Sequence, residues 1–275
     1  MSAYKTLKKF TDNIPNEDSC CVHDDMIAIS DGAGGCGVFA SDWSQYLIEN
    51  IAKRAGNPPI TSFEQLDEWI GNIWEPFYIE YEKKAMEYDG IFQSKFYKEG
   101  SFATLAVVWR ISKDQCQWMT YGDSVVFHYS KSLGILQHSF TKLADFSKPP
   151  YLISCKDPLQ PEGFKSGTFN LTDDSVVFAA SDALSHFIMM IYYVEHQDEY
   201  QNEIDNLLSN HTMDAQMLNL ALNDKQAYRF DFLIDKIQDI THNQQNFDAF
   251  VKELYKRGVL EMDDYTLAIL KYDKE

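Results

Sequence analysis

The chain predicts an α+β fold in which sheets and helices pack as layers. Two observations predict it. Apolar runs of strand length fall at 26–30, cluster between 104 and 129, and return at 175–180 and 265–271. Helix-period segments lie between these groups rather than after each strand, which disfavours a doubly wound parallel sheet. With 275 residues, 45% hydrophobic and 14% aromatic, the chain can bury a sizeable core and is too apolar to be largely disordered.

The elements follow in order. Residues 26–30 (Met-Ile-Ala-Ile-Ser) form a short apolar run bounded by acids and glycine, which predicts a buried strand. Residues 38–54 place Phe39, Trp43, Tyr46, Leu47 and Ile51 on one helical face. Pro58 and Pro59 end that segment, and Ser62-Phe63-Glu64-Gln65 resembles a capping box opening a second helix, with a kink expected at Pro76. Residues 104–109, 116–121 and 125–129 predict consecutive strands joined by short polar turns. Residues 133–174, with four prolines, predict a loop-rich segment. A strand at 175–180, a helical block over 185–258 and a closing strand at 265–271 complete the chain, with no internal repeat.

Charge narrows the function. Lys and Arg total 24 against 42 Asp and Glu, a net charge of −18. Nucleic acid is not expected as a partner, because binding it needs Lys and Arg to release counterions. An anionic membrane surface is disfavoured for the same reason. No apolar run approaches the ~20 residues that span a bilayer. Residues 1–10 carry no apolar leader, and the five cysteines show no CxxC spacing. Buried thiols in a reducing, cytoplasmic setting are therefore expected, and the two Asn-x-Thr sites at Asn170 and Asn210 are discounted as glycosylation acceptors.

The informative feature is where the acids fall. Asp31 ends the 26–30 strand, Asp123 sits between two strands, and Asp182 follows the 175–180 strand. Asp263 and Asp264 precede the last strand, and Glu17 and Asp18 precede the first. Each acid alone reads as a turn or cap residue. Together, at successive strand ends, they predict a convergent acidic cluster that is unstable without a cation. Oxygen-only ligands select Mg²⁺, Mn²⁺ or Ca²⁺ over zinc.

In this order the motifs resemble those of the metal-dependent protein phosphatases, the protein phosphatase 2C family. Asn16-Glu17-Asp18, Asp31-Gly32-Ala33-Gly34-Gly35, Gly122-Asp123-Ser124, Ser181-Asp182-Ala183-Leu184 and Asp263-Asp264-Tyr265-Thr266 match its elements in sequence, and Gly100 to Thr104 matches loosely. The resemblance covers about residues 10–271. It implies a four-layer αββα sandwich with two mainly antiparallel sheets, spanning 1–275 as a single domain. It further implies a variable flap at about 133–174 and a helical insertion at about 185–258.

The implied activity is hydrolysis of phosphoserine or phosphothreonine in phosphorylated protein substrates, by a water bridging two Mg²⁺ or Mn²⁺ ions. By position, Asp31 would bridge both ions, and the Gly32 carbonyl would bind one. Asp182 and Asp263 would complete the other, and Glu17 and Asp18 would act directly or through water. Asp123 would help hold a third, weaker ion.

Three departures accompany the resemblance. The family's usual phosphate-binding Arg is Asn13 here. Lys5, Lys8 or Lys9 could supply that charge, though a solvated basic segment is the expected role. Ala33 cannot donate a proton where His is often found, and Ala183 replaces a usual Gly.

Competing motifs are weaker. Gly32-Ala33-Gly34-Gly35-Cys36-Gly37 satisfies GxGxxG, but Asp31 would repel a pyrophosphate and no second strand follows the helix. Ser139-Phe140-Thr141-Lys142 fits SxxK without its companion motifs. The serious alternative is a non-catalytic, phosphatase-like module that binds metal or a partner, motivated by the loss of Arg at position 13. Asn13→Arg is expected to lower the Michaelis constant for a phosphopeptide. An unchanged or raised value would place the phosphate elsewhere.

Overall fold

A computed structural model describes residues 2–11, 14–210, 212–225 and 229–270. Two five-stranded antiparallel sheets lie face to face. One has the order β1 (Ala3–Leu7), β12 (Tyr265–Leu270), β11 (Ser175–Ala180), β7 (Val125–Ser130), β8 (Ile135–His138). The other runs β10 (Phe164–Asn170), β6 (Gln115–Tyr121), β5 (Leu105–Ser112), β3 (Met26–Ser30), β2 (Ser19–Val22). A two-stranded pair, β4 (Phe102–Ala103) with β9 (Ile153–Ser154), lies beside them.

The helices divide into two outer layers. Those covering the second sheet are α1 (Ala40–Ala52) and α2 (Phe63–Ala85), with α3 (Gly90–Glu99) against α2. Those on the first sheet are α4 (Asp182–Glu195), α5 (Gln197–Leu208), α6 (Met213–Asn223), α7 (Phe230–Ile240) and α8 (Gln244–Lys256). The architecture is the expected αββα sandwich.

Successive strand side chains point to opposite faces, and here both faces are buried. In β3, Met26 and Ala28 pack with Trp43, Leu47 and Ile51 of α1, while Ile27 and Ile29 face the other sheet. In β7, Val125 and Phe127 meet the helical layer, and Val126 joins Ile27, Val108 and Ala179 between the sheets. Continuous apolar runs follow from this double burial. Helix α4 is buried all round, from Ala183 to Val194, because it lies between the first sheet and the outer helices.

Local chemistry sets the helix ends. Ser62 accepts a hydrogen bond from the Gln65 amide at 3.4 Å, the first half of a capping box. The returning bond goes one residue early, from the Thr61 amide to Gln65 Oε1 at 2.7 Å. Helix α2 continues through Pro76 to Ala85.

The segment 133–174 holds more structure than its composition predicts. It contributes β8, β9 and all seven residues of β10. Strand β10 is an edge strand in which only Phe169 is fully buried, so it shows no apolar alternation. A Cβ at Gly167 would stand 2.5 Å from the Trp118 ring, so the strand packs glycine where a hydrophobe would have been legible. Edge strands β1 and β2 escape the apolar pattern for the same reason.

Ile27 is fully buried between the sheets. Ile27→Ala is expected to lower unfolding free energy by about 2–5 kcal/mol and Ile27→Val by about 0.5–1.5 kcal/mol. Urea denaturation checks both. Equal losses would mean that the inter-sheet layer relaxes around the deletion.

Candidate metal centre

Hydrogen bonds between strand ends build the site. The Asp31 amide donates to Thr104 Oγ1 at 3.1 Å, and the Thr104 amide donates to the Asp31 carbonyl at 2.8 Å. Thr104 Oγ1 also lies 2.7 Å from Ser124 Oγ, which ties the Asp31 turn to the turn carrying Asp123. That turn needs glycine at 122: its φ is +102°, and a Cβ would stand 2.8 Å from Thr104 Cγ2.

A second set joins Asp182 to Asp263. The Ser181 amide donates to the Thr266 carbonyl at 3.1 Å, and Ser181 Oγ accepts from the Thr266 amide at 2.9 Å. Asp182 opens α4 with Ser181 at the cap position, and its carboxylate accepts from the Ala183 amide at 2.5 Å.

Asp264 fastens the N-terminal segment to this frame. Its two oxygens accept from the Lys9 amide at 2.6 Å and the Glu17 amide at 2.8 Å. The Glu17 carbonyl in turn accepts from the Gly32 amide at 3.1 Å. Gly32 permits that approach, since a Cβ there would lie 2.7 Å from the Glu17 carbonyl oxygen.

These contacts produce one cleft of about 320 Å³ whose charged lining is Glu17, Asp31, Asp123, Asp182, Asp263 and Lys9. The 32–35 turn forms one side, and Phe146, Pro150 and Leu152 form an apolar wall. Asp18 is buried beside it, and its carboxylate oxygens make no well-formed hydrogen bond, although the Thr266 and Ser181 hydroxyls are close enough to favour its charged form.

The acids raise one another's proton affinity. Burial and the charges of Asp18, Asp182, Asp123 and Asp263 push Asp31 well above the carboxylate range. Asp182 rises for the same reasons, burial first and then Asp123, Asp263 and Asp18. Asp18 is pushed up to about 7, mainly by burial, with the hydroxyls of Thr266 and Ser181 offsetting part of the effect. Burial lifts Asp123 to about 6. Asp263 is raised by burial and held back by the Asp264 amide and Lys9.

Of the residues singled out in the sequence, Glu17, Asp31, Gly32, Asp123, Asp182 and Asp263 line this cleft and Asp18 adjoins it. Asn13 lies outside the described residues. Lys9 corrects the expectation of a solvated basic segment. Its Nζ stands 2.8 Å from Glu17 Oε2 and 3.9 Å from Asp264 Oδ2, in the cleft lining. Lys5 donates to its neighbour's carbonyl, and Lys8 is exposed.

Asp264, Thr104 and Ser181 were not legible as site builders. Nothing in the sequence pairs a strand-entry acid with amides about 250 positions away. Ser139 Oγ accepts from the Val126 amide inside the sheet, so the SxxK pattern is structural.

The donor set fits hard divalent cations. Every titratable group facing the acids except Lys9 offers oxygen, and Asp18 is a buried carboxylate with no well-formed hydrogen bond and only the Thr266 and Ser181 hydroxyls to favour its charge, which is costly without a cation. The Gly32 carbonyl accepts from the Gly34 amide at 3.1 Å and keeps a second lone pair. No three His, Cys, Asp or Glu side chains among the described residues are gathered into a complete set for one ion. An ion of the Mg²⁺ type is commonly held by one or two carboxylates and keeps several waters, which suits that spacing.

No family model matches the chain, and no curated protein resembles it in sequence. Solved structures do resemble it in fold. The catalytic domain of the serine/threonine phosphatase PstP, in complex with two manganese ions, aligns with a TM-score of 0.56. Identity is 13%, and the match covers 98% of this chain and 96% of that one. Mycobacterium tuberculosis PstP/Ppp aligns with a TM-score of 0.53 at 14% identity, covering 98% and 97% of the two chains. Stp1 from Staphylococcus aureus aligns with a TM-score of 0.51 at 12% identity, covering 98% and 93%. The chain has the protein phosphatase 2C-like fold across nearly its whole length.

The raised acids set a pH dependence. Asp18 at about 7 and Asp123 at about 6 compare with ~3.9 for Asp in an unfolded chain. Between those values the folded state binds more protons, so this contribution to stability falls as pH rises from about 4 to 7. In chelator, Asp18→Asn is expected to flatten the loss of melting temperature between pH 5 and 8. Manganese is expected to raise the wild-type melting temperature more at pH 8 than at pH 5. An unaltered pH slope in Asp18→Asn would remove that carboxylate from the cluster.

Proposed function

We propose that this protein is a Mg²⁺- or Mn²⁺-dependent phosphatase of phosphoserine and phosphothreonine in proteins. One observation carries the reading: acids from five separate strand ends converge on one cleft, with Asp18 buried beside it and lacking a well-formed hydrogen bond. The fold shared with bacterial serine/threonine phosphatases supports it.

Asp31, Asp182 and Asp263 would hold the ions, with the Gly32 carbonyl as a further donor. Glu17 and Asp18 would orient coordinated water, and Asp123 would support a weaker third ion. Bound there, such ions acidify water and offset charge on the phosphoryl oxygens. The chain's own part is placement. The Thr104 hydroxyl fixes the Asp31 turn, and Ser181 and Thr266 fix Asp182 relative to Asp263. The apolar wall of Phe146, Pro150 and Leu152 comes from segment 133–174, which we assign to substrate choice as a flap. The Ala33 methyl carries no proton for the leaving group.

The second reading is a non-catalytic module. The Lys9–Glu17 ion pair favours it, because a tethered ammonium occupies one of the acids.

Turnover separates the two. Manganese-dependent hydrolysis of a phosphothreonine peptide is expected, and its absence at high protein concentration would leave the non-catalytic reading. Asp31→Asn and Asp182→Asn should each cut kcat by at least about 10²-fold, since ion placement is worth several kcal/mol and each 1.36 kcal/mol is tenfold. Wild-type rates in either variant would make the ligand assignment wrong.

A further inference from the structure

A phosphomonoester dianion entering this cleft meets five carboxylates, and a single cation lines it among the described residues. That cation is Lys9. Its position is built rather than incidental. Asp264, 2% exposed, accepts from the Lys9 amide at 2.6 Å and from the Glu17 amide at 2.8 Å. One buried carboxylate therefore locks the backbone at both ends of the 9–17 segment. Lys9 Nζ then spends one donor on Glu17 Oε2 at 2.8 Å. An ammonium has three donors, so the pair leaves capacity for a phosphoryl oxygen.

Two lysines of the segment that supplies the apolar wall do not share this placement. Lys148 is turned to Asp145 at 2.7 Å, and Lys165 lies over the Phe140 ring. The Lys9 side chain is 18% exposed, so its charge is less screened by salt than that of a surface lysine.

We propose that Lys9 is the substrate-phosphate residue of this protein, held at the cleft by Asp264 and shared between Glu17 and the incoming phosphoryl oxygens. This deepens the phosphatase reading and rests on it. It differs in chemistry from an arginine site. Lysine binds phosphate as a point charge, whereas guanidinium makes a planar bidentate fork. Asp264 acts as a positioning residue, through the two amides it binds.

The test uses the full chain loaded with manganese. Turnover of a phosphothreonine peptide and inhibition by inorganic phosphate are measured for wild type, Lys9→Gln, Lys9→Met and Lys9→Arg, each with its melting temperature. Lys9→Gln and Lys9→Met are expected to raise KM and the phosphate inhibition constant together by about tenfold or more, with a smaller change in kcat. Lys9→Arg should restore both constants to within about threefold. An altered manganese activation constant with unchanged KM and phosphate inhibition would show that Lys9 serves Glu17 alone, and would overturn the proposal.

Should the wild type show no turnover, the phosphatase reading fails separately. Calorimetric titration of the manganese-loaded protein with inorganic phosphate then decides the role of Lys9. Weaker binding in a folded Lys9→Gln variant supports it, and equal binding overturns it.

Discussion

Carboxylates repel one another, and this fold holds several of them around one cleft against that repulsion. Asp31, Asp123, Asp182 and Asp263 each sit at the end of a buried strand or at the turn beside one. They raise one another's proton affinity, and the buried Asp18 joins them without a well-formed hydrogen bond. Such an arrangement costs stability unless protons or cations occupy it. The cost is borne by the αββα core, whose three apolar layers surround both sheets.

The same geometry explains why the frame is so heavily hydrogen-bonded. Thr104, Ser124, Ser181 and Thr266 are all buried, and each links two chain segments at the cleft edge. Small hydroxyls can join strand ends without filling the space between the acids. Asp264 extends this principle with charge: it lies outside the cleft lining and binds two backbone amides. The adjacent pair Asp263 and Asp264 thus splits into one acid facing the cleft and one facing the chain.

Placing Lys9 opposite these acids changes how the missing arginine reads. A cation is present in the cleft, but it arrives from the end of β1 and is pinned by tertiary contacts. Its pairing with Glu17 gives the cleft an internal counter-ion, and the phosphatase and non-catalytic readings differ in what that ammonium does next.

Strands buried on both faces, such as 26–30, 125–130 and 175–180, were legible because double burial demands uninterrupted apolar residues. The acids at their ends were legible because each interrupts such a run. Edge strands β1, β2 and β10 were not, since one open side frees them from any hydrophobic pattern. By itself the sequence determined the layered class, the two helical blocks and the acids that end the strands, all of which depend on local periodicity. Only the tertiary structure decided that Asp264 grips Lys9 and Glu17, and that Lys9 stands in the cleft rather than in solvent. Those contacts join residues about 250 positions apart, and hydrogen bonding across such distances leaves no periodic trace in the chain.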